Sequence, residues 1–525
     1  MNRPVILSEP LGGSALSRAA RAGELAAWYR SVPAGTQEWK AYASEVRRSV
    51  SADWLDELSA AFDVKGVAAE RLRGASERGL VVTTGQQPGL FGGPLMTLNK
   101  ALSARALADV LQRELEVPVA PVFWAATDDA DFDEAAHVWV SITGGAVDLR
   151  LERHAPAGTP VSAVPMGPDV SALIDGLVAS CGSFSTAPLL DDVKGIYRPG
   201  ETIGGAYLAL LRRVFEPLGI AVLDASHPAV QARARPILTR AATRAPALQR
   251  ALQERENAIR ARGYAPQVEE VSGLSLVFTN EGGTKRRLPI DAAVNVSDAD
   301  QRSLSPTVLL RPVVERSALP TVAYIAGPGE YAYFAQVSAV AQTLDAHTPL
   351  VLPRWSATIL EPRIQRQLDA LGATVDETRQ PHLTERRLAR ELMPDGAAAG
   401  VRILREHADA DVDALRTASN GLVPDAVLEG FRRSVIHRVE RLERRLLAAT
   451  KRREAEVMNR LATVRGVLHP DGARQERKLS FVPFLARYGD DLVTDMIDQA
   501  KDHARVLVQG VRPGSVVDSA VPQGT

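Results

Sequence analysis

The most constraining feature of this chain is a β-branched run ending in glycine, then a helix, then a run that is apolar on both faces. GLVVTTG (79–85) is the first run, GPLMTLNKALSARALADVLQREL (93–115) the helix and PVAPVFWAAT (118–127) the second run. A strand with one wet face alternates apolar and polar residues, and PVAPVFWAAT does not. It needs cover on both sides, as a parallel strand flanked by crossover helices has. Strand, glycine turn, helix and strand make a βαβ unit and predict an α/β fold.

The theme breaks at HAPAGTPVSAVPMGP (154–168) and resumes at GGAYLALLRRVFEPLGIAVLDAS (204–226). It returns between about 305 and 375, where TVAYIAG (321–327) and TPLVLPRWS (348–356) read as strands around the helix PGEYAYFAQVSAVAQTLDA (328–346). Three separated blocks thus predict one Rossmann-like parallel sheet interrupted by insertions. The second insertion holds a hairpin, SLVFTNEGGTKRRLPI (275–290), turned at Glu281-Gly282-Gly283.

Residues 14–74 read as helices. Residues 424–468 read as one long helix, with Leu428, Phe431, Val435, Val439, Leu442, Leu446 and Ala449 spaced alternately about three and four. That is a coiled-coil seam, roughly 65–70 Å long at 1.5 Å per residue. Residues 384–418 are placed to fold back on it, and so long an apolar stripe predicts a homodimer through the arm. The expected divisions are 1–146 (N-terminal helices and first half of the core), 147–200 (insertion), 201–240 (core), 241–304 (second insertion), 305–380 (second half of the core), 381–470 (coiled-coil arm) and 471–525 (C-terminal segment).

Bulk properties exclude more than they assign. A formal net charge of −1 over 525 residues gives no electrostatic case for nucleic acid or an acidic membrane. The arginines of the arm are offset by glutamates and read as solvated surface. No apolar run reaches the ~18–20 residues of a membrane span. The first residues, MNRPVILSEPLGGSALS, lack the apolar core of a secretory signal. The single cysteine, Cys181, rules out an intramolecular disulfide, so a cytoplasmic protein is expected.

Ligands of an open α/β sheet bind beyond the carboxyl ends of its strands, and three loops there carry chemistry. In TTGQQPGLFGGP, Gly85 and Gly93 allow close backbone approach, Gln86 and Gln87 supply amides, and the following helix start suits an anion. The alternative is a tight turn without a ligand. The second loop places Asp128, Asp129, Asp131, Asp133 and Glu134 within seven residues. So many carboxylates are either solvated or meet a cation, an ammonium or hydroxyls; the spacing is not that of an EF-hand. His137 follows as a candidate base. The third loop is Gly327-Pro328-Gly329-Glu330-Tyr331. Arg311 and Arg354, at the ends of apolar stretches nearby, suit a carboxylate or phosphate, or form structural ion pairs.

TGQQPGLFGGPLMTLNKA, PVFWAATDDADFDEAAHV, LRPVVERSALPTVAYIAGPGEYAYFAQ, PRWSATILEP and PFLARYG (483–489) together resemble the bacillithiol biosynthesis cysteine-adding enzyme family, BshC, in order from about residue 79 to 490. The resemblance implies a Rossmann-like, nucleotidylyltransferase-like core with a coiled-coil dimerisation arm. It implies amide-bond formation between cysteine and glucosaminyl-malate, with ATP (ADP or AMP as product) activating the carboxylate and Mg²⁺ accompanying the nucleotide. Family members often carry histidine where this chain has Ala130, and histidine or tyrosine near Asn99. The resulting candidates are Asp128, Asp129, Asp131 and His137 for catalysis. For substrate or nucleotide they are Gly85, Gln86, Gln87, Gly93, Asn99, Lys100, Arg311, Gly327, Gly329, Glu330, Tyr331, Arg354 and Ser356, with no resident metal. Two alternatives stand beside this: a ligase or nucleotidyl transferase for another amino acid, and a non-catalytic ligand-binding dimer.

Overall fold

A computed structural model describes residues 3–153, 155–297 and 303–509. His154 of the first insertion, 298–302 of the second and 510–525 of the C-terminal segment lie outside the described residues. The described residues divide into two units: those within 6–140, 148–359 and 476–509 form the larger, and those within 3–5, 141–147 and 360–475 the smaller.

The larger unit is built on a five-stranded sheet of β1 (Leu80–Gln86), β2 (Val119–Ala125), β3 (Ala221–Asp224), β4 (Thr321–Ala326) and β5 (Val351–Pro353). Its order is β5-β4-β1-β2-β3 and every pair is parallel. Every residue of β2 and β4 is buried, which is why their sequences do not alternate. Helix α1 (Leu95–Leu115) follows β1 and packs against helix Val482–Val508. Elsewhere on the sheet Trp54, Leu58, Phe62 and Leu72 cluster with Val122, Trp124 and Leu223. The chain runs from β1 outward to β3, then returns to β4 beside β1. Order reverses between β1 and β4, and a crevice opens there at the carboxyl ends.

Three more helices frame that crevice: α2 (Pro228–Thr243), α3 (Arg311–Ala318) and α4 (Pro328–Thr343). The hairpin forms as expected, Leu274–Glu281 against Thr284–Pro289. A third strand, Ser305–Pro306, pairs with its first strand; two residues are too few to carry a periodic signal.

In the smaller unit, α5 (Asp395–Ala418) packs against α6 (Asp425–Arg453). Arg416 bridges Asp425 at 3.2 Å and Glu429 at 3.5 Å across the turn. The single helix expected over 424–468 is in fact two: Glu454 (φ −95°, ψ 41°) interrupts it and α7 runs Ala455–Leu468. No glycine or proline stands there, so the apolar spacing runs through the break unmarked. Among the described residues no helix is long and apolar enough to cross a membrane.

Candidate active site

The floor of the crevice is a buried lattice of alternating charges. Lys100, in the second turn of α1, is 3% exposed. Its ammonium donates to the Gly85 carbonyl at 2.7 Å and Gln86 Oε1 at 2.9 Å, and lies 2.5 Å from Glu330 Oε2. It thereby ties the end of β1 to the turn after β4. Glu330 Oε2 also accepts from the Gly327 amide at 2.8 Å, and Oε1 from the Tyr324 hydroxyl at 2.6 Å. Arg311, opening α3, donates to the hydroxyls of Tyr324 at 3.0 Å and Tyr333 at 3.4 Å. It lies 3.3 Å from Glu315 and 3.8 Å from Glu330. Burial drives the Lys100 ammonium down against the pull of Glu330. Burial would raise the Glu330 carboxyl, but Lys100 and Arg311 outweigh it and hold the group below its ordinary value. Glu315, one turn beyond Arg311, is pushed up by burial to about 7 despite that arginine.

Above this floor lies a cavity of about 560 Å³. It gathers Gly85, Gln86, Gln87, Lys100, Asp128, Asp129, Arg311, Gly327, Gly329, Glu330 and Arg354 from the expected residues. The acidic loop does not act as one cluster. Asp128 pairs with Lys285 of the hairpin at 3.1 Å, and Asp129 accepts from Gln87 at 2.6 Å. Asp131 accepts from the Glu134 amide at 3.1 Å, capping the short helix Phe132–Ala135. Among the described residues no three His, Cys, Asp or Glu side chains converge to hold a metal ion.

Six expected residues do not reach the cavity, and the reasons are local. Asp131 is spent as that cap. His137 lies on a surface hairpin, its Nδ1 2.7 Å from Asp148. Gly93 (φ 77°) turns the chain into α1. Tyr331 stacks on Tyr29 with ring centres 5.5 Å apart, and burial raises its phenol to about 12. Asn99 and Ser356 each donate to Glu476 at 2.8 Å. Arg354 lines the cavity, but its guanidinium is a two-pronged partner of Glu476 at 2.6 and 2.7 Å. Glu330 likewise already occupies the Gly327 amide, so the anion at the start of α4 is the protein's own.

Three charged cavity residues escaped the sequence reading, Lys285, Arg287 and Arg477, and Glu134 entered it only as one carboxylate of the acidic loop. Partial desolvation, with Asp131 and Asp129 beside it, pushes the Glu134 carboxyl up, although the residue as a whole is exposed. Lys285 and Arg287 sit two apart on one hairpin strand and so share a face. Their spacing in TKRRLP was visible, but which face meets the crevice was not.

The N-terminal Rossmann-like domain of bacillithiol biosynthesis BshC matches residues 19–302 and 292–355, and its C-terminal coiled-coil domain matches residues 357–506. The chain belongs to the BshC family. A relative from Solibacter usitatus (strain Ellin6076), named "Putative cysteine ligase BshC", is 34% identical over 475 residues, 86% of this chain and 89% of the relative. Proteins of the same name from Koribacter versatilis (strain Ellin345) and Symbiobacterium thermophilum are 32% and 30% identical, covering 82% and 94% of this chain and 83% and 97% of their own lengths. The BshC match spans both units, and the cavity lies wholly in the Rossmann-like one. Ala130 lines that cavity with a methyl group only. Glu134, four residues on, also lines the cavity, and among the described residues its carboxylate has no direct hydrogen bond or ion pair.

Proposed function

We propose that this chain is a cysteine ligase of bacillithiol biosynthesis, joining the cysteine carboxyl to the amine of glucosaminyl-malate as an amide at the expense of ATP. The observation that carries the reading is the cavity where strand order reverses, which holds two unlike sets of groups. Asp129 and Glu134 form an anionic side, suited to an ammonium. Arg287 and Arg477 have no direct ion pair with protein carboxylates among the described residues, and suit the carboxylates or phosphates of substrates. The names of the relatives support the choice of cysteine.

The donor set also fits a nucleotide. Trp124 Nε1 and Arg354 Nε are buried without a partner on residues that line the cavity, and such donors are costly to leave unmade. ATP, when bound, supplies activation of a carboxylate. The chain's own residues then orient and move protons. Asp129, steadied by Gln87, holds the acceptor ammonium, and Glu134 takes the proton that the nitrogen must lose before it can form the amide bond. Glu134 is exposed, so a substrate amine can reach it, and a carboxyl shifted upward is the better base for that task near neutral pH. Glu134→Gln should lower kcat by about 10²–10⁴, the usual worth of general acid–base catalysis, with little change in melting temperature. A variant as fast as the wild type would remove Glu134 from the mechanism.

We also propose that the arm pairs with a second copy of the chain. Leu422, Val427 and Phe431 are 88%, 58% and 57% exposed at one end of the α5–α6 pair, more apolar surface than a solvated helix tip needs.

A further inference from the structure

One buried carboxylate, Glu476, has no task in the proposed chemistry. It is 2% exposed and is not part of the cavity wall. Its Oε1 accepts from Arg354 Nη2 at 2.7 Å and Ser356 Oγ at 2.8 Å. Its Oε2 accepts from Arg354 Nη1 at 2.6 Å and Asn99 Nδ2 at 2.8 Å. Arg354 and Ser356 follow β5, and Asn99 belongs to α1. Compensating the buried Arg354 guanidinium explains the two-pronged pair. The bonds to Ser356 and Asn99 go further and fix residue 476 against two elements of the core.

The residues that follow are pinned as well. The Lys478 ammonium lies 5.1 Å from the Trp139 ring centre. The Leu479 carbonyl accepts from the Leu95 amide at 2.7 Å, and the Ser480 amide donates to the Trp139 carbonyl at 2.9 Å. Between these anchors stands Arg477, exposed and lining the cavity. It lies within electrostatic reach of Glu134: partial desolvation raises that carboxyl, Asp131 and Asp129 add to the rise, and Lys100 and Arg477 oppose it. A long cationic side chain on a loose backbone would spend much of its binding on lost conformational freedom. Glu476 and its neighbours remove the backbone share of that cost.

Resting on the ligase reading, we propose that Glu476 is a positioning residue: it holds Arg477 where the carboxylates of the acceptor, glucosaminyl-malate, arrive. In that reading Glu134 meets the acceptor nitrogen, and glucosaminyl-malate carries its amine and its carboxylates on one molecule. The cation within reach of Glu134 therefore meets the acceptor's anionic end. A planar guanidinium grips a carboxylate with two parallel bonds. Such a grip depends on aim, and Glu476 supplies the aim without touching substrate.

Steady-state kinetics of amide formation test this, with glucosaminyl-malate varied at saturating cysteine and ATP. The variants are Arg477→Gln, Glu476→Gln and the two together. Arg477→Gln should raise the KM for glucosaminyl-malate about tenfold or more, the worth of a charge-assisted pair. Its kcat should change by less than about threefold, as expected when ground state and transition state lose the same contact. Glu476→Gln should raise the same KM and leave that for cysteine unchanged. The double variant should be no worse than Arg477→Gln, because Glu476 then has nothing left to aim. A purely structural ion pair would instead lower kcat with KM kept, and its loss would multiply with that of Arg477→Gln; either result overturns the proposal. Where Glu476→Gln lowers the melting temperature by more than a few degrees, Asn99→Ala/Ser356→Ala replaces it, stripping two bonds from the carboxylate while keeping its pair with Arg354. That variant should raise the KM for glucosaminyl-malate severalfold, but not in the Arg477→Gln background, and an unchanged KM overturns the proposal too. If the wild type forms the amide and none of these KM values moves, the positioning role falls and the ligase reading stands. If the wild type forms no amide, both fall.

Discussion

Lys100→Met tests whether the lattice beneath the cavity is structural. The substitution keeps most of the aliphatic stem and deletes the ammonium. Glu330 then loses its 2.5 Å partner, and Glu330 and Glu315 share one cation, Arg311, at 3.8 and 3.3 Å. Removing one partner of a buried pair costs about 3–5 kcal/mol, because the other charge stays buried and unpaired. The lost bonds to Gly85 and Gln86 add about 1 kcal/mol each. Such a loss is a large fraction of the ~5–15 kcal/mol that holds a domain folded. Lys100→Met/Glu330→Gln removes both charges and keeps an amide able to bond Tyr324. It should recover at least ~1 kcal/mol relative to the single variant. Urea denaturation followed by tryptophan fluorescence measures both. In Lys100→Met the loss should shrink as pH falls, because protonation of Glu330 removes the uncompensated charge. A single variant that loses less than ~1 kcal/mol, or a double variant no more stable than the single, would refute the reasoning.

Other consequences are as direct. Glu315, raised from 4.5 to about 7, binds its proton more tightly folded than unfolded; its stabilising contribution is full below pH 4.5 and lost as pH rises through about 7. The wild type minus Glu315→Gln stability difference should therefore fall across that window by an amount on the order of 3 kcal/mol, and a flat difference would contradict the assignment. Gly92→Ala puts a Cβ 2.5 Å from the Phe481 ring at φ 81°; it should cost about 1–3 kcal/mol from backbone strain alone, read as a lowered melting temperature, and an unchanged one would mean that the turn is pliable. Phe431→Glu on the arm should shift the mass seen by light scattering from dimer to monomer without lowering ADP binding; an unshifted mass would place the contact elsewhere.

The fold was legible because burial writes itself into sequence. The runs of β1, β2 and β4 lack alternation, and the structure buries them on both faces. The hairpin was legible from Glu281-Gly282-Gly283. The break at Glu454 was not, since neither composition nor spacing marks it. At the site, strand ends announced Gly85, Gln86 and Gln87, the acidic loop and the Gly327–Glu330 turn. Sequence could not say which charges are spent on one another. Arg354 and Glu476 are far apart in the chain, and nothing in PRWSAT or RQERK reveals that each neutralises the other. Lys100 and Glu330 show the same limit: two residues that look like ligand contacts form a buried joint between two strand ends. Arg477 and Arg287 come from the C-terminal segment and an insertion, and no spacing links them.

The decisive measurement is mass spectrometry of the purified protein incubated with glucosaminyl-malate, cysteine, ATP and Mg²⁺. The ligase reading requires a product of bacillithiol mass, with AMP or ADP released in step. Intact substrates and unchanged ATP, from protein shown to be folded, would contradict it.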